Sequence, residues 1–76
     1  IEAAAIYFQQ GNYPLSKLAL DRFRQISKPT AQSLWLSVRL EERFGNRDNA
    51  ASEGLKLKNL FPYSREALEY QARLNQ

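Results

Sequence analysis

Seventy-six residues make one small domain or a piece of a larger one. With 43% hydrophobic and 25% charged residues, the composition is that of a soluble globular chain and excludes a disordered one. Cys and His are both absent, which removes disulfides, thiolate chemistry and the commonest general base and metal ligand; the net charge of +3 fits solvated helix faces better than a nucleic-acid patch.

The chain begins at Ile1 and contains no Met, so it reads as an excerpt whose parent continues upstream. No apolar run approaches the roughly 20 residues that a membrane-spanning helix needs. Long stretches of Ala, Leu, Arg, Lys, Glu and Gln, all strong helix formers, lie between a few Gly and Pro residues.

The first predicted helix runs from about Glu2 to Gln10 and stops at Gly11, a residue that reaches positive φ without a Cβ clash. The second starts near Pro14, which suits the first turn of a helix, and runs to about Ser27. Leu15, Leu18, Ala19, Phe23 and Ile26 recur on it at spacings of three and four and form one apolar stripe, expected to face inward.

Pro29 breaks the chain, and Thr30 is placed to cap a third helix that ends at about Phe44. Leu34, Trp35, Leu36, Val38, Leu40 and Phe44 cover more than one side of it, so it should lie between neighbours. Gly45 ends it. The fourth helix runs from about Asp48 to Leu60, with Leu57 and Leu60 facing inward. Gly54 costs about 1 kcal/mol against Ala within a helix, so a close packing approach is expected there. Pro62 stops this helix, and Ser64 can cap a fifth that runs to about Leu74. Ala67, Tyr70 and Leu74 should face the preceding hairpin, with Leu68 and Ala72 beside them. Glu66, Glu69, Gln71, Arg73, Asn75 and Gln76 should form a polar outer side, as on a terminal cap. Tyr13 and Tyr63, at turns, are expected to staple helix ends.

Gly11-Asn12 recurs as Gly45-Asn46, 34 residues on. The same offset pairs Ile6 with Leu40, Ser16 with Ala50, Phe23 with Leu57 and Ile26 with Leu60. Thirty-four is the period of the tetratricopeptide repeat, a helix–turn–helix unit whose hairpins stack to hide their apolar flanks. The expected fold is therefore all-α, with antiparallel hairpins of a tetratricopeptide-like solenoid. Residues 1–76 form a single unit: repeat 1 at about 1–29, repeat 2 at about 30–62, and a C-terminal capping helix at about 64–75. Two hairpins are near the lower limit for stability, because about three repeats are normally needed.

Tyr7 and the run Gln10-Gly11-Asn12-Tyr13 resemble the first-helix aromatic and the turn of a tetratricopeptide repeat. Ser16 and Ala50 stand where that repeat wants a small residue, and Pro62 at its closing proline. Pro29 is one place late, Phe23 replaces a small residue, Glu41 stands where an aromatic is usual, and Gly54 and Leu57 also depart from the pattern.

A closer resemblance covers most of Leu34 to Pro62. The runs Arg47-Asp48-Asn49-Ala50-Ala51-Ser52 and Leu55-Lys56-Leu57-Lys58-Asn59-Leu60-Phe61-Pro62 look like the C-terminal part of the type IV pilus biogenesis and stability lipoproteins, the PilF and PilW pilotins. This resemblance implies a protein at the periplasmic face of a Gram-negative outer membrane. It also implies a lipid anchor on a Cys upstream of Ile1, and a role in secretin assembly or localisation or in pilus stability.

No Ser has an obvious base partner, no glycine-rich phosphate loop exists, and Glu41 and Glu42 point about 100° apart on a helix. Solvation, or pairing with Arg39 and Arg43, is the expected state of those two carboxylates. The chain is thus expected to be non-enzymatic, without a cofactor, and to hold proteins, among which the pilus secretin is the first candidate. By repeat geometry the candidate contact residues are Phe8, Gln9, Trp35, Arg39, Glu42 and Arg43, on the first helix of each hairpin. For Trp35, packing between hairpins is the preferred reading over partner contact. Two alternatives remain: a general tetratricopeptide adaptor with an unrelated partner, and a nucleic-acid-binding helical module using Arg22, Arg24, Lys28, Lys56 and Lys58.

Overall fold

The computed structural model describes residues 1–75; Gln76, expected on the polar side of the last helix, lies outside the described residues. Five α-helices follow one another: α1 (Glu2–Gln9), α2 (Tyr13–Ile26), α3 (Ala31–Arg43), α4 (Arg47–Leu60) and α5 (Arg65–Leu74). No strand occurs among the described residues. α1 packs on α2 and α3 on α4, while α3 also touches α2 and α5 and is the central rod. The all-α hairpin architecture is therefore as the periodicity indicates.

The two hairpin turns are the same object repeated. Gly11 and Gly45 take φ of 78° and 79°. In the first turn the amide of Asn12 donates to the Tyr7 carbonyl at 2.9 Å and that of Gly11 to Phe8 at 3.0 Å. In the second, Asn46 donates to Glu41 at 2.8 Å and Gly45 to Glu42 at 3.1 Å. This paired pattern, with a left-handed residue just past the helix end, is the Schellman motif.

Capping is equally local. The Thr30 hydroxyl accepts from the Ser33 amide at 3.0 Å, and the Ser33 hydroxyl accepts in return from the Thr30 amide at 2.9 Å. Ser64 caps α5 by accepting from Ala67 at 3.0 Å. α2 begins at Tyr13 rather than Pro14, because Asn12 accepts from the Leu15 amide and leaves Pro14 inside the first turn.

Two apolar clusters sit on different sides of α3. Leu34 and Val38 meet Ala50, Leu57, Ala67 and Tyr70 from α4 and α5. Leu36 and Leu40 meet Ala4, Phe8 and Leu20 from α1 and α2. Each fully buried Leu contributes about 1.5–3 kcal/mol through removal from water. Ser16 is buried where the repeat wants a small residue, and its hydroxyl donates to the Ala4 carbonyl at 2.7 Å, tying α2 closely to α1.

Several expected inward residues face outward. On α2, Leu15, Leu18 and Ile26 are exposed, whereas Ser16 and Leu20 are buried. The apolar stripe is real, but α2 turns its neighbouring edge to α1 and α3. Leu15 and Leu18 line an outward groove with Ala3, Tyr7 and Ala19, and no helix among the described residues covers it. Leu60 and Leu74 are also more than half exposed, since each lies in the last turn of its helix. Tyr63 is 93% exposed and staples nothing. Phe44 is the C-cap of α3 and half-exposed.

Candidate protein-binding face

The first helix of each hairpin, α1 and α3, presents its side chains beside those of α5, and the turn motifs fix that placement. Phe8 is buried against Leu20, Leu36 and Leu40, and its ring meets Tyr13 edge-on at 5.2 Å between centroids. These two rings form a floor. The Arg39 guanidinium lies over Phe8 at 4.4 Å and near Trp35 at 5.9 Å, and Arg43 lies over Tyr13 at 5.3 Å. Trp35 is half-buried, packs edge-on against Tyr70 at 6.1 Å, and is faced by Arg73 at 5.2 Å. Phe8 therefore reaches the face through the arginine above it.

Glu42 pairs with Arg73, across from α3 to α5. A cleft of about 390 Å³ lies among Arg39, Glu42, Arg43 and Arg73, which bring three guanidinium charges and one carboxylate. Beside it, a smaller hollow of about 250 Å³ is lined by Gln9, Gln32, Trp35, Arg39, Arg65 and Glu69, among others. The six candidate residues are thus brought to one side of the molecule. Arg73 and Tyr13 complete that surface and were not among the candidates. The signal for Arg73 existed: it stands 34 residues after Arg39 (73 − 39 = 34), one repeat period on.

The two adjacent carboxylates diverge, as a 100° step requires, but neither pairs with Arg39 or Arg43. Three of these four pairings are only one or two positions apart, where helical side chains do not face each other, and Glu42, three from Arg39, pairs with Arg73 instead. Glu41 turns inward, its carboxylate accepts from Lys17 Nζ at 2.7 Å and from the Asn46 side-chain Nδ2 at 2.8 Å, and it is buried. Burial pushes the Glu41 carboxyl up, yet the hydrogen bonds from Lys17 and Asn46 and the Lys17 charge bring it below its ordinary value. The hydrogen bond to Glu41 raises Lys17 above its own, against the effect of burial. This polar contact joins α2 to α3 at the position where the repeat usually carries an aromatic.

Among the described residues, no three His, Cys, Asp or Glu side chains gather as a metal site, and no helix is long and apolar enough to cross a membrane. Aromatic rings under guanidiniums beside a mixed-charge cleft bring together the residue types enriched at protein-binding hot spots.

Paired helices with this turn, this period and this inner face define a tetratricopeptide-type helical repeat segment. No family model matches the chain. Over 72 residues, 95% of this chain, it is 40% identical to the type IV pilus assembly protein PilF of Pseudomonas aeruginosa. A solved structure from a functional characterization of Pseudomonas aeruginosa pilF superposes with a TM-score of 0.85, at 40% identity over 92% of this chain. The segment resembles PilF in both sequence and fold. It spans 29% of the length of that curated relative and 32% of the solved chain.

Proposed function

We propose that this segment is part of a non-enzymatic scaffold that holds protein partners during type IV pilus biogenesis. The observation that carries this reading is the 40% identity, over nearly the whole chain, to a protein named for type IV pilus assembly. Residues 1–29 and 30–62 serve as two repeats and 64–75 as an end helix. The contact surface comprises Gln9, Trp35, Arg39, Glu42 and Arg43, with Phe8 beneath. In the longer protein, a further hairpin would stack on the outward groove of Leu15 and Leu18, and a lipid on an upstream Cys would hold the scaffold at the periplasmic face of the outer membrane. The partner is the pilus secretin, whose assembly or localisation the scaffold assists.

Co-purification of the full-length protein with the secretin tests this reading, together with secretin multimers in a strain lacking the gene. The expected result is association, with multimers lost or left outside the outer membrane. No association together with unchanged multimers overturns it.

A further inference from the structure

Arg39 and Arg43 lie one helical turn apart on α3, on the same face. Each lies over a ring contributed by the other hairpin, Arg39 over Phe8 and Arg43 over Tyr13. Stacking uses the flat face of a guanidinium and leaves its in-plane N–H donors available. Among the described residues neither arginine has a carboxylate within ion-pair distance. Glu42, which lies between them in sequence, is taken by Arg73. Both guanidiniums therefore line the cleft without a carboxylate partner among the described residues.

We propose that Arg39 and Arg43 form a preset double anchor for an acidic segment of the partner protein. Rings that hold both forks in place reduce the rotamer entropy lost on binding. Alternate residues of an extended peptide project to one side about 7 Å apart, close to the separation of about 5–6 Å between the Cβ atoms of side chains one helical turn apart. The matching ligand is thus an extended stretch with Glu or Asp at alternate positions, its carboxylates meeting the two guanidiniums and its next apolar residue resting near Trp35. A nucleic acid fits less well. The guanidiniums already cover the rings on which bases would stack. This inference rests on the scaffold reading and specifies the chemistry of its partner.

The chain's single tryptophan, Trp35, stands beside the anchor and reports binding by its emission. The full 76-residue chain is titrated with the acetylated peptide Ala-Glu-Ala-Glu-Leu-Ala, with its glutamine counterpart, and with a short oligothymidylate. The glutamate peptide should bind at least about tenfold more tightly than the glutamine one, with an affinity that falls as salt rises. Arg39→Gln and Arg43→Gln should each weaken binding by about tenfold, as expected for loss of one charge-assisted pair. Arg22→Gln, on the opposite outward groove, should leave it unchanged. Arg39→Lys keeps the charge without the fork and should fall between, which separates recognition from any loss of folding by the glutamine variants. Equal affinity for the glutamate and glutamine peptides, binding of neither, or a preference for the oligonucleotide overturns the anchor. Secretin co-purification that survives such a result leaves the scaffold reading standing.

Discussion

The phenol ring of Tyr70 occupies the space that a side chain at Gly54 would need: a Cβ there would stand 2.2 Å from the ring carbon Cζ and 2.3 Å from the hydroxyl. The glycine in α4 admits the aromatic residue of α5, and through it the last helix docks on the second hairpin. The close packing approach expected at Gly54 is made by the Tyr70 ring. Gly54→Ala would gain about 1 kcal/mol of helix propensity and lose more through overpacking, typically about 1–3 kcal/mol. The expected net result is a lower melting temperature. Tyr70→Leu in the same chain should recover part of the loss, and strict additivity in that double-mutant cycle would show that the two residues are not coupled.

Leu57 is fully buried between α3 and α5, whereas Leu60, one turn on, is 57% exposed. Leu57→Ala should cost about 2–5 kcal/mol. Leu60→Ala should stay within about 0.5 kcal/mol of the parent. The same contrast holds on α2, where Leu20→Ala should be severe and Leu18→Ala mild. Urea denaturation of the four variants checks the ranking, and equal losses for Leu18 and Leu20 would mean that α2 is rotated from its observed setting.

What could be read from the residues follows the range of the forces involved. The Gly11 and Gly45 turns and the Thr30 and Ser64 caps were legible because each is decided within about six neighbouring residues. Leu57 was legible because burial and apolar spacing coincide there. The inward side of α2 was not: Leu15, Leu18 and Ile26 make the stronger stripe, yet the buried Ser16 depends on a hydrogen bond to Ala4, twelve positions away. The partner of Glu41 is 24 residues distant, and the pairing of Arg73 with Glu42 depends on α5 packing against α3. Local chemistry sets the helices, but long-range packing chooses which edge each one buries.

Arg24 ties three elements together. Its guanidinium donates to the Ser37 hydroxyl at 3.2 Å and pairs with Glu53 at 2.9 Å, so α2, α3 and α4 meet at one charge. The second Glu53 oxygen, Oε2, is buried without a hydrogen bond and has only Lys56 at 3.9 Å. Arg24→Ala would leave the Glu53 carboxylate without its main partner and should destabilise by about 1–3 kcal/mol. Glu53→Gln in that background should restore part of the loss, because a neutral amide is cheaper to bury than an unpaired charge. Thermal melts of the single and double variants read the effect, and no recovery in the double would show that lost packing of the Arg24 stem, not an unpaired charge, is the cause.

The Lys17–Glu41 contact makes stability depend on pH in a stated direction. Glu41 sits below its ordinary value of about 4.3 when folded, so it stabilises above that value and loses the effect as pH falls through the folded pKa. Lys17 sits above its ordinary value of about 10.4, so its part is complete below that value and is lost only as pH rises through the higher folded one. The pair is thus intact across neutral pH and fails first on the acid side. Lys17→Met leaves the buried Glu41 carboxylate with only the side-chain amides of Asn46 and Asn49 and should cost about 1–3 kcal/mol at neutral pH. As pH falls through the lowered folded pKa of Glu41 the native protein loses the same contribution, so the two melting curves should converge. A gap that stays constant from neutral to acid pH would show that this ion pair is not what makes the α2–α3 contact sensitive to acid.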